Sequence, residues 1–130
     1  MLYCLMSNHV HLLVETGSQP LSRFMQGLQQ SYTQYFNRKV GAAFRDAARA
    51  LEVEPAVLTG ADRSWQMSRC RAVVAYVLIR RLGYKLKDVA KCLGRDLATV
   101  SSLVSRYSER MGEDEVLKKQ AARIAKVCLE

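Results

Sequence analysis

The chain has 130 residues, of which 49% are hydrophobic and 25% charged, and a formal net charge of +8 at pH 7. That length sets a prior of one small domain, and the apolar content places the chain among globular rather than disordered proteins. No apolar run reaches bilayer-spanning length and no secretory signal pattern is visible, so the expected compartment is the cytoplasm, with no membrane partner.

The first element is a pair of short strands. Residues 2–6 and 9–14 read as a β-hairpin around Ser7-Asn8, and residues 21–37 as the helix that follows. Side chains alternate along a strand, so His9 and His11 share one face while Val10 points to the other. Two neighbouring imidazoles can hold a divalent metal. Solvation of a half-buried strand is the alternative use of the same pair. A two-stranded hairpin is marginal alone, and pairing with a second copy of the chain would complete the sheet.

The segment Cys4-Leu5-Met6-Ser7-Asn8-His9-Val10-His11-Leu12-Leu13-Val14 resembles the histidine-hydrophobe-histidine segment of REP-associated tyrosine transposases, the insertion-sequence-200-like HUH family. Proline is usual where Ser7 stands. The resemblance continues through Leu21-Ser22-Arg23-Phe24-Met25 and Ser31-Tyr32-Thr33-Gln34-Tyr35-Phe36-Asn37-Arg38-Lys39. It implies a ferredoxin-like catalytic domain in which His9 and His11 hold Mg2+ or Mn2+ against a scissile DNA phosphate. A tyrosine then attacks as nucleophile and leaves a phosphotyrosine link. Glu15 and Gln34 are the candidates for a third ligand.

Beyond residue 41 the family pattern stops. Gly41 leads directly into Ala42-Ala43-Phe44-Arg45-Asp46, and the Tyr-Ile-x-x-Asn-Pro context of the family's nucleophile helix is absent. Tyr32 and Tyr35 match the first helix after the histidines, so they stand only as substitute nucleophiles. Residues 1–41 are therefore expected to be a transposase fragment, cut at both ends.

Residues 42–62 are expected to form a connecting helix and linker. Phe44, Ala47, Ala48 and Leu51 face inward, Glu54-Pro55 opens a short helical turn, and Trp65 beyond the linker is expected in the core. Cys4, Cys70, Cys92 and Cys128 lack C-x-x-C spacing, which argues against zinc ribbons and redox motifs. Reduced thiols follow as the default.

Residues 63–110 hold the entire charge excess, with eleven Lys/Arg against Asp88, Asp96 and Glu109. A solvated face would mix both signs, so nucleic acid is the first partner to consider. The segment reads as consecutive helices. Residues 71–82 place Val73, Val74, Val77 and Leu78 at helical spacing, with Gly83 as cap. Residues 86–93 carry Leu86, Val89, Ala90 and Leu93 on one face, and Gly94 ends them. Asp96 is the N-cap of a third helix, with Val100, Leu103 and Val104 inward and Thr99, Ser101, Ser102 and Arg106 outward. Helix, glycine turn and helix with a polar outer face is a helix-turn-helix pattern. A basic helical bundle is the alternative. Past Gly112, Val116, Leu117, Ile124 and Val127 form the apolar stripe of a last helix.

Ala72-Val73-Val74-Ala75-Tyr76-Val77, Leu86-Lys87-Asp88-Val89-Ala90 and Leu93-Gly94-Arg95-Asp96-Leu97-Ala98-Thr99-Val100 resemble the C-terminal DNA-binding domain (domain IV) of the replication initiator DnaA. The resemblance implies a mainly α domain over 63–130 that inserts the residues after the turn into the major groove. It implies DNA contacts from Arg69, Arg71, Lys85, Lys87, Arg95, Asp96, Leu97, Ala98, Thr99, Ser101, Ser102 and Arg106. Leu97 and Ala98 replace the His-Thr pair that reads bases in DnaA, and apolar side chains touch a thymine methyl instead. No G-x-x-x-x-G-K-[ST] loop occurs, so ATP is not an expected cofactor. Two readings result. One is a catalytically inactive, sequence-specific DNA-binding protein derived from a transposase. The other is a metal-dependent enzyme that nicks and joins hairpin single-stranded DNA.

Overall fold

In the computed structural model, which describes residues 2–7 and 9–129, the chain divides into two units, Met1–Tyr35 and Phe36–Glu130. The first unit opens on β1 (Leu2–Leu5) and β2 (Val10–Leu13), antiparallel with Leu2 opposite Leu13 and Cys4 opposite His11. The Met6 amide donates to the His9 carbonyl at 2.8 Å and closes the turn. Asn8 of the expected turn lies outside the described residues. The hairpin has almost no core of its own: Leu2, Tyr3, Leu5, Val10 and Leu13 are all exposed.

The boundary between the units falls within α1 (Leu21–Ala50), a helix that was expected to stop before Gly41. It continues because Val40, Ala43, Phe44, Ala47 and Ala48 recur at helical spacing and are all buried. Burying that stripe outweighs the ~1 kcal/mol cost of an interior glycine. Residues 42–62 are thus part of a core rather than a connector, since α2 (Pro55–Thr59) adds the fully buried Leu58. Pro55 begins α2, where its missing N–H costs nothing.

The rest of the second unit is α3 (Trp65–Tyr76), a π-helical turn over Val77–Arg81, α4 (Leu86–Leu93), α5 (Leu97–Met111) and α6 (Glu115–Leu129). Gly83, at φ 76°, releases the chain from the π turn. The expected inward residues Val73, Val74, Val77, Leu78, Val89, Ala90, Leu93, Val100 and Val104 are all buried. Leu103 and Val127 are only half-buried, and Val116 is exposed because Leu117, Ala121, Ile124 and Ala125 occupy the inner stripe of α6. Trp65 is a clear correction. It is 65% exposed, within a run, residues 61–66, that is exposed throughout.

Tyr107 ties α5 to α6. Its hydroxyl donates to the Leu117 carbonyl at 3.0 Å, and its ring lies against Tyr76 with centroids 5.1 Å apart. Burial, followed by the Tyr76 phenol, pushes its pKa up to about 12. Below about pH 10 the phenol is neutral in both folded and unfolded chains, and its bond counts in full. Between about pH 10 and the folded value only the unfolded chain releases the proton, so stability falls by about 1.4 kcal/mol per pH unit. Tyr107→Phe is expected to cost about 1 kcal/mol at neutral pH. In urea titrations that cost should shrink or reverse near pH 11; an equal cost at both pH values would refute the account.

Candidate nucleic-acid interface

The site residues of the second unit are set by a three-residue turn. Gly94 takes the left-handed conformation (φ 65°) that ends α4, and its amide bonds back toward Ala90 and Lys91. Asp96 is extended and caps α5, accepting from the Thr99 amide at 3.2 Å and from the Thr99 hydroxyl. Those bonds hold the Asp96 carboxyl below its ordinary pKa. The Thr99 hydroxyl therefore spends its proton on the cap.

Arg95, between them, turns toward α2. It donates from Nη2 to the Gly60 carbonyl at 2.6 Å and from Nη1 to the carbonyls of Gly94 and Thr59, at 3.2 and 3.5 Å. Arg71 converges on the same place. Nε donates to the Leu58 carbonyl at 2.8 Å and Nη2 to Gly60 at 3.1 Å. The last carbonyls of a helix lack partners within it, and here two guanidinium groups supply them. Arg71 is only 5% exposed, and burial together with the neighbouring Arg95 lowers its pKa. Two of its five N–H donors are thus used by the fold.

The other expected contacts separate into two places. Lys85, Lys87, Leu97, Ala98, Thr99, Ser101 and Ser102 are exposed at the start of α4 and on the first turns of α5. Leu97 is 51% exposed while Val100 beside it is fully buried, so the helix presents one face and seats the other. The amides of its first turn give that end a positive dipole. Arg69 and Arg106 instead line a groove with Trp65, whose exposure made it invisible to a search for core residues. Runs of charge without an apolar period were the available signal for that groove.

In the first unit, the two histidines meet as the period of a strand requires. Their Nε2 atoms lie 3.2 Å apart and their rings 5.0 Å apart, edge to face. That separation is an N–H···N hydrogen bond between the two rings, which sets both ring nitrogens side by side. Cys4 is opposite His11 on the same face. Among the described residues, however, no group of three His, Cys, Asp or Glu side chains forms a metal cage. Tyr32 and Tyr35 are both exposed on α1.

Residues 1–48 match the family model described as "Transposase IS200 like". The match covers β1, β2 and α1 as far as Ala48; α2 to α6 lie beyond it. No curated protein matches the chain. Among the described residues, no helix is long and apolar enough to cross a membrane.

Proposed function

We propose that this chain, whose first 48 residues carry the transposase match, is a transposase-derived DNA-binding protein. Its helical unit docks the start of α5 in the major groove of duplex DNA. The observation that carries this is the α4–turn–α5 arrangement, with an exposed N-terminal face on α5 and a turn built by Gly94, Arg95 and Asp96. The resemblance to the DnaA C-terminal domain points the same way. Leu97 and Ala98 meet thymine methyl groups, Ser101 and Ser102 hydrogen-bond to base edges or phosphates, and Lys85 and Lys87 hold the backbone. Thr99 and Asp96 orient the helix end, and Arg95 anchors the turn. In this reading the hairpin retains no catalysis.

Labelled duplex titrated across a salt series tests it. With Lys85 and Lys87 as the cationic phosphate contacts, affinity should fall roughly tenfold between about 50 and 200 mM salt. Lys87→Ala should weaken binding to all sequences alike and reduce the salt slope by about 0.9. Absence of duplex binding at low salt would sink the reading.

The histidine pair favours a second reading, a metal-dependent nicking and joining activity on single-stranded DNA with Tyr32 or Tyr35 as nucleophile. When bound between His9 and His11, Mg2+ or Mn2+ would polarise a phosphate. A covalent protein–DNA adduct on a denaturing gel, lost in His9→Ala, would establish it over the first.

A further inference from the structure

A groove of about 1310 Å3 runs beside α3, α5 and α6, away from the turn. Arg69, Arg106, Arg110 and Lys119 line it, against Glu113 and Asp114. Asp114 already accepts from the Val116 amide at 2.9 Å. Among the described residues, no acidic side chain lies within salt-bridge distance of Arg69, Arg106 or Arg110. The groove therefore carries an excess of cations that this chain's own acids do not neutralise.

At one end stands Trp65, 65% exposed, with the Arg69 guanidinium 4.5 Å from its ring centroid. An indole left in water forgoes one of the largest burial gains open to any side chain. Arg69 fixes the ring from one side by a cation–π contact. An aromatic platform beside unneutralised guanidinium groups combines the two features that hold a single strand: a surface for a base to stack on, and charge for the backbone. Duplex DNA offers the charge but not the base, whose faces are covered by its neighbours in the stack.

We infer that this groove is a second nucleic-acid site, taking an unpaired nucleotide of single-stranded DNA. The base stacks on Trp65 and the flanking phosphates lie against Arg106 and Arg110. The site goes beyond the duplex-binding face; Arg69 and Arg106, which the DnaA resemblance implied as duplex contacts, line this groove instead.

Trp65 is the chain's single tryptophan, so the emission of the intact protein reports on the groove directly. The full chain is titrated with an oligothymidylate of about ten nucleotides, within the span one single-strand site commonly covers. Parallel titrations use an abasic strand of equal length and polyglutamate. Saturable quenching by oligothymidylate, at an affinity about tenfold or more above the abasic strand, is the expected result. Fluorescence anisotropy of a labelled oligothymidylate should show a similar loss in Trp65→Ala and a smaller one in Trp65→Phe. Duplex binding should be unchanged in both. Equal affinity for the abasic strand would overturn the inference in favour of a simple polyanion site, and preference for polyglutamate in favour of an acidic peptide. No quenching by any ligand would overturn it outright. Lys87→Ala separates the two sites: it should lower duplex affinity and leave oligothymidylate quenching intact.

Discussion

Replacing Arg71 by methionine is expected to lower the thermal midpoint of the helical unit by more than about 10 °C. Methionine keeps most of the buried stem but none of the donors. The Leu58 carbonyl then loses its 2.8 Å bond and Gly60 keeps only the one from Arg95. Hydrogen bonds to a charged donor contribute about 1.5–3 kcal/mol each, and an unpaired buried acceptor adds its desolvation cost. A loss of about 3–6 kcal/mol is the outcome, and in a unit of this size each kcal/mol moves the midpoint by roughly 4–8 °C. Arg71→Lys should recover only part, because one ammonium does not reproduce the guanidinium fork across two carbonyls. Melting followed by circular dichroism decides it. A drop smaller than about 3 °C would mean that water replaces the arginine and that its burial matters little.

The second large effect is expected at Leu93. It is fully buried as the last residue of α4, directly before the turn. Leu93→Ala should cost about 2–5 kcal/mol through lost burial and the cavity left behind. Leu97, four positions on, is half exposed at the start of α5. Leu97→Ala should leave stability within about 0.5 kcal/mol of the parent, as exposed positions generally do. Under the proposed duplex-binding function its effect falls on affinity, at sites that place a thymine methyl under α5. Urea unfolding of both variants beside duplex titration separates the two roles. Equal destabilisation by the two changes would show that α5 does not seat as described.

The parts of this fold that local signals control could be read directly. Gly94 and Asp96 mark the ends of α4 and α5 by their backbone preferences, and periods of 3.6 and 2 put Val89, Leu93 and Val100 inside and His9 beside His11. Two structural roles escaped the sequence for one reason: each depends on a partner far away along the chain. The structural use of Arg71 was hidden because its acceptors lie 11 and 13 residues earlier, in and just after a helix too short to announce its need for donors. Arg95 was hidden in the same way, since its carbonyl partners Thr59 and Gly60, at the end of α2, lie 36 and 35 residues away. The first helix was expected over residues 21–37, yet the apolar stripe from Val40 to Ala48 carries α1 on past Gly41. Trp65 was assigned inward on residue type alone, with no neighbouring stripe to support it. For the interface, the exposed start of α5 was legible; the division of the arginines between fold and groove was not, since both uses require the same residue.

One consequence of the hairpin concerns handling. Cys4 is exposed, whereas Cys70, Cys92 and Cys128 are half-buried, and burial raises the pKa of each, that of Cys128 to about 11. Thiolate supply and access both limit oxidation, so the helical core is protected while the strand surface is not. Air oxidation should therefore join two chains through Cys4 and leave the helical unit untouched. A dimer seen on a sizing column counts as strand pairing only if it survives a reductant.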